Sequence, residues 1–203
     1  MRAAERKQSE GAIVIIETIV STRDESARDH IAPMGIRQEP GLIVISPFRP
    51  STTLDHLLRE KCAVVNYTDD VRIFAGCLTG RFDWPMVSAQ NVPCRRLAAA
   101  LSHSEVELER VEDDSLRPRL YLREIERVTH APFPGFNRAQ AAVIEAAILV
   151  SRLHMLAQSK IDSEMQYLQI AIGKTAGQRE LEAWGWLQER IAQFRLEKKE
   201  STG

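Results

Sequence analysis

Sulfur and aromatic side chains are scarce in this chain. Its 203 residues carry three cysteines, and aromatics make up 6%. Cys62, Cys77 and Cys94 are odd in number and widely spaced, which excludes a disulfide framework or a four-ligand zinc site as the basis of the fold. Long hydrophobic runs are missing too: no stretch approaches the roughly 20 apolar residues of a membrane-spanning helix. The opening MRAAERKQSEG is charged where a signal peptide needs an apolar centre, so it reads as a disordered tail over residues 1–10. An excess of one charge is absent, and a net charge of -1 sets up no field for nucleic acid or an acidic membrane. Neither is expected as a partner, and reduced thiols in a cytoplasm are the default.

Several chemical signatures are also lacking. There is no G-x-G-x-x-G and no G-x-S-x-G elbow. Gly173-Lys174-Thr175 imitates the end of a P-loop, but the first glycine that loop requires falls on Leu168. The five histidines have no metal-ligand spacing. Asp69-Asp70 and Glu112-Asp113-Asp114 read as turn and loop carboxylates. No catalytic constellation emerges, and the catalytic residues stay unknown.

What is present is a chain of two characters. Ala12–Thr22 (AIVIIETIVST) is β-branched and nearly continuous, and predicts a strand buried on both faces. Glu17 in its middle needs a partner, and an Arg is expected. His30–Ile36 predicts a strand that lies at an edge or stops at Pro33, since proline cannot donate to a ladder. Leu42–Ser46 and Cys62–Asn66 predict two more strands. Between them, Thr52 or Thr53 can cap a helix over Leu54–Lys61. Tyr67–Phe74 predicts a short turn or helix, Arg81–Pro93 an irregular stretch, and Arg95–Ser102 a helical turn. Glu105–Val111 and Arg119–Val128 alternate as half-exposed antiparallel strands do. Residues 11–130 therefore predict an antiparallel barrel or sheet with short helical inserts.

After the Pro-rich Ala131–Gly135 the pattern becomes helical over residues 131–198. Asn137–Leu156 is the clearest helix, with Asn137 as N-cap and Gln140 at the capping-box position. Its apolar stripe is wide enough to be buried in a domain or against a second subunit. Two helices follow, over about Ile161–Ile172 and Gly177–Leu196, and Trp184-Gly185-Trp186 in the last reads as packing. The end, LEKKESTG, reads as a solvated tail. The class is α+β.

Three loops that follow strands carry the functional signal. Arg49-Pro50-Ser51-Thr52-Thr53 places an Arg and three hydroxyls before a helix, whose free N–H groups and partial positive charge attract phosphate. A plain N-cap beside an exposed Arg is the alternative. Asn66-Tyr67-Thr68 orients a ligand or forms a turn. Ala32-Pro33-Met34-Gly35 offers backbone amides and a small residue where a flat ring can approach.

Taken in order, ETIVST, APMG, SPFRPSTT, VVNYTDD and FNRAQAAVIEAAILVSRL resemble the family DUF447, over about Ile15–Gly177. That family is similar to the flavin-reductase-like, FMN-binding split barrels. The resemblance implies a six-stranded split antiparallel β-barrel with a helical C-terminal region, and a homodimer with FMN near its interface. It implies that Arg49, Ser51, Thr52 and Thr53 hold the FMN phosphate. Ala32, Pro33, Met34, Gly35, Asn66, Tyr67 and Thr68 would line the ribityl chain and ring, with Arg138 reaching the site. Pro50 lacks one amide donor for that cradle. The activity it implies is a flavin-dependent oxidoreductase of unknown substrate, with NAD(P)H or a small molecule as partner. The alternatives are a non-catalytic flavin carrier that docks on a partner, or a role linked to one-carbon (methanopterin) cofactor metabolism.

Overall fold

A computed structural model describes residues 14–200. Its first strand, β1 (Ile16–Arg23), is followed by β2 (Asp29–Glu39) and β3 (Leu42–Ile45). Helix α1 (Thr52–Glu60), β4 (Cys62–Tyr67) and α2 (Val71–Leu78) come next, then a small hairpin, β5 (Met86–Ser88) and β6 (Arg95–Leu97). Two long strands, β7 (Ser102–Glu112) and β8 (Arg119–Thr129), precede helices α3 (Arg138–Ser151), α4 (Gln158–Thr175) and α5 (Gln178–Glu200). Six strands close an antiparallel barrel in the order β1-β2-β3-β8-β7-β4.

Period-2 alternation sorts the barrel residues. Val20, Ile36, Ile43, Ile45, Ala63, Val65, Val106, Leu120 and Leu122 point inward, and Leu54 and Leu57 of α1 pack against them. Each such Leu or Ile contributes about 1.5–3 kcal/mol through the water it leaves. The outward residues are covered as well. Ile19 and Ile31 meet Ile73 and Phe74 of α2, while Cys62 and Val64 lie under Val92 and Cys94. The opposite side of α2, with Val71 and Ala75, packs on α3 and α5. Helix α2 thus joins the barrel to the helices and sets α3 beside β2.

Departures from the sequence reading trace to specific contacts. Arg95–Ser102 holds strand β6 in place of a helical turn. The reason is long-range: Met86, Val87 and Ser88 pair with Leu97, Arg96 and Arg95. The cap of α1 is Ser51, whose hydroxyl accepts from the Leu54 amide, so both threonines fall inside the helix. Gln140 does not reach back to its cap; it donates to Glu180 (3.3 Å), and Asn137 caps α3 alone through the Ala139 amide. The residues expected as a C-terminal tail are helical to Glu200. The expected N-terminal tail and the first two residues of the Ala12 strand lie outside the described residues.

Pro33 neither ends β2 nor breaks it. It pairs with Ile19 in an unbroken run of eleven residues. Strand β3 joins β2 only from Ile36 to Glu39, so over residues 29–35 β2 has no neighbour on that side. The missing N–H is tolerated because the strand is locally an edge.

Two buried polar groups fasten the sheet. Asn66, fully buried, donates to the Ile19 carbonyl (3.0 Å) and to Ser21 (3.1 Å). It accepts from the Leu97 amide (2.8 Å), tying β4 to β1 and β6. Glu105, also fully buried, accepts from the amides of Gln90 (2.8 Å), Asn91 (2.6 Å) and Val92 (3.1 Å). Its burial pushes the carboxyl pKa up, but the Gln90 and Asn91 amides and His103 outweigh that and hold it below the ordinary value.

Candidate functional site

Where β3 leaves the sheet after Ile45, the barrel seam opens into a cleft of about 1390 Å³. This exceeds the roughly 300–1,000 Å³ usual for a small-molecule pocket. One wall is β2 from His30 to Gly35 with Arg37; the other is the loop Ser46–Phe48 and Pro50–Thr53. The roof comes from the end of α2, from Phe82 and from the second half of α3 (Ile144, Ala147, Ile148).

The amino end of α1 is built into this cleft. Ser51, Thr52 and Thr53 all line it. Thr53, itself buried, lies 3.2 Å from His30 Nε2. His30 stands edge-on to His56 at 5.4 Å, and His56 Nδ1 lies 3.0 Å from the Thr22 hydroxyl. Burial, and then His56, hold the His30 pKa below its ordinary value. Burial, and then Arg59, do the same for His56. Both rings are neutral at pH 7, so the helix N–H groups supply the positive potential here.

Ala32, Pro33, Met34 and Gly35 line the opposite wall along the unpaired edge. Glu17, directly across from Gly35 on β1, also faces the cleft. Among the described residues no Arg pairs with it, and its carboxyl pKa is raised by burial and by Glu145. The arginines sort by commitment. Arg117 donates to the Ser46 carbonyl (2.9 Å) and lies over Phe48, while Arg119 pairs with Glu112. Arg37 and Arg152 line the cleft without an ion pair among the described residues.

The other residues singled out from the sequence lie elsewhere. The Arg49 guanidinium is engaged by Asp113 Oδ1 (2.8 Å) and the Asp114 carbonyl (3.2 Å), and its amide donates to the Leu116 carbonyl. It locks the 46–50 segment to the β7–β8 loop and is not part of the cleft wall. Asn66 is consumed inside the sheet, Tyr67 faces Arg127 and Ser104, and Thr68 bonds the Ala99 carbonyl and the Asp70 amide. Arg138 is exposed at the start of α3, whereas the cleft begins at Ile144. Sequence reasoning missed His30, Glu17, Arg37 and Arg152 as cleft residues; the signal available for Glu17 was a charge inside an apolar strand. Among the described residues no group of three or more His, Cys, Asp or Glu is placed to hold a metal, and no helix is long and apolar enough to cross a membrane.

Comparison with known proteins agrees with this architecture. An uncharacterized protein of Methanocaldococcus jannaschii is 28% identical over 148 residues, spanning 69% of this chain and 75% of the relative. The crystal structure of an FMN-bound protein of Methanosarcina mazei superposes with a TM-score of 0.75 at 21% identity, covering 87% of this chain and 94% of that one. A 2-nitrobenzoate 2-nitroreductase of Pseudomonas fluorescens gives 0.50 at 16% identity, over 64% and 77% of the two chains. The family described as "Protein of unknown function (DUF447) N-terminal domain" matches residues 16–131, and its companion "Protein of unknown function (DUF447)" matches residues 137–189. With most of its length matched by these two, the chain belongs to the DUF447 family, and its fold is that of the FMN-bound Methanosarcina mazei protein.

Proposed function

We propose that this protein binds FMN in the cleft and uses it in oxidoreductase chemistry on a small molecule, with NAD(P)H as a candidate electron donor. One observation carries the reading: a capped helix amino end with three hydroxyls opens into a cleft whose other wall is an unpaired strand edge. The likeness to an FMN-bound member of the same family supports it.

The donor set fits the cofactor. The first-turn amides of α1 that the Ser51 cap leaves free, and the hydroxyls of Ser51, Thr52 and Thr53, suit a phosphate. Ala32, Pro33, Met34 and Gly35 offer a small and apolar surface with free backbone groups for the polar edge of a flat ring. Arg49 acts as a positioning residue, since it holds the loop that carries Ser51. When bound, the isoalloxazine supplies hydride or electron transfer.

The chain's own residues then have separable tasks. Phe74, Phe82, Ile144 and Ile148 keep water from the ring. Glu17, with its raised pKa, can hold a proton at the cleft wall. Arg37 and Arg152 keep uncommitted charge for an anionic second ligand, and the size of the cleft leaves room for one. Ile15, Phe48 and Phe82 leave more than half their surface exposed at this cleft, which supports a homodimer that covers it. Anaerobic mixing of the FMN-loaded protein with NADH or NADPH tests the enzymatic part. Loss of absorbance near the flavin maximum supports a reductase; no bleaching by either donor contradicts the nicotinamide step.

A further inference from the structure

A second chemical site lies away from the cleft. Cys62 opens β4, and Cys94 immediately precedes β6. Their sulfurs stand 3.6 Å apart, and both side chains are buried, at 5% and 2% exposure. A disulfide needs about 2.05 Å, so the two sulfurs are unbonded near neighbours that must approach further to join. The backbone around Cys94 is held in place: Ala89 donates to the Cys94 carbonyl (3.2 Å), and Glu105 binds the amides of residues 90–92. A small cavity of about 250 Å³ reaches Cys62 between Lys61, Asn91, Val92 and Pro93. A volume of that size holds several waters and so admits hydrogen peroxide.

We infer that Cys62 and Cys94 form a redox-active dithiol that a hydroperoxide oxidises to an intramolecular disulfide. The Cys62 thiolate attacks one peroxide oxygen. The O–O bond breaks, the leaving hydroxide takes up a proton as water, and Cys62 becomes a sulfenic acid. The Cys94 sulfur then attacks the Cys62 sulfur, the S–O bond breaks, and a second water departs with the Cys94 proton. Two thiols and one hydrogen peroxide thus give one disulfide and two waters. The roles follow from the pair itself: the hydrogen bond from Cys94 holds the Cys62 thiol pKa below its usual value, and that same bond together with burial raises Cys94. Cys77 is the internal control, because burial pushes its thiol up to about 12.

Tryptic peptide mapping under non-reducing conditions tests this. Cleavage after Lys and Arg separates the three thiols into peptides 62–72, 73–81 and 82–95. After hydrogen peroxide treatment of the reduced full-length protein and alkylation in denaturant, peptides 62–72 and 82–95 should be joined with loss of two hydrogens. Peptide 73–81 should be alkylated, and dithiothreitol should reverse the link. In Cys94→Ser, dimedone should label Cys62. A link through Cys77, a link between two chains, or full alkylation of Cys62 and Cys94 after peroxide overturns the proposal. The wild-type map decides the matter even if the variant does not fold.

Discussion

Thr53 Oγ1 lies 3.2 Å from His30 Nε2, joining the first turn of α1 to the start of β2 across the open seam of the barrel. His30 and His56, behind it, both have lowered pKa values, with burial as the leading cause. The ordinary value is 6.5. In the unfolded chain the rings take protons below that pH, and in the native state they resist until lower pH. The stability they contribute is therefore complete above 6.5 and is lost as pH falls through the native values. Thermal melts from pH 7.5 to 5 should show a decline that His30→Gln reduces, since Gln can still reach Thr53 without binding a proton. An unchanged decline in the variant would assign it to other groups.

Gly76 looks improvable, because Ala gains about 1 kcal/mol over Gly within a helix. Here a Cβ would stand 2.9 Å from the Arg81 carbonyl oxygen and 3.0 Å from Trp84 Cζ2. That carbonyl is fixed by the Trp84 indole N–H (3.0 Å) and cannot yield. Overpacking costs typically 1–3 kcal/mol, so Gly76→Ala should destabilise by about 1 kcal/mol net. Chemical denaturation measures it, and a gain in stability would contradict the packing.

Glu105→Ala should cost about 3 kcal/mol, because it strands the buried Val92 amide and takes the acceptor from the part-buried Gln90 and Asn91 amides. Urea unfolding gives the value. The loss should appear without any change in the cleft, and so with FMN affinity retained at temperatures where the variant is folded.

The locally encoded elements were legible in the sequence, and those that depend on distant pairing were not. β-Branched runs marked β1, β3 and β4, and alternation marked β7 and β8, since period and propensity are local properties. Asn137 announced α3 for the same reason. The hairpin β5–β6 was not legible, because three-residue strands flanked by Pro85 and Pro93 have no pattern and depend on pairing. Asn66 read as a ligand residue at a strand end; its partner Leu97 is 31 residues on, which no local signal reveals. The contacts of Arg49 were not legible, because Asp113 and Asp114, which engage it, arrive only when β7 and β8 fold back. Ser51, Thr52 and Thr53 were legible as a group, since a cap and its helix are contiguous.

Arg49→Ala should therefore weaken FMN and riboflavin binding to the same small extent. An exposed ion pair is worth about 0.2–1 kcal/mol, and its loss loosens the loop without removing a phosphate ligand. A loss confined to FMN would return Arg49 to the phosphate.

Titrating the purified protein into FMN and, separately, into riboflavin, while following flavin fluorescence, tests FMN binding at α1. The phosphate hydrogen bonds at α1 are charge-assisted and contribute about 1.5–3 kcal/mol, which is roughly ten- to hundredfold in affinity. Saturable quenching of FMN is expected, with riboflavin weaker by that factor and the gap reduced in Thr53→Val. FMN fluorescence unchanged by excess protein would contradict it.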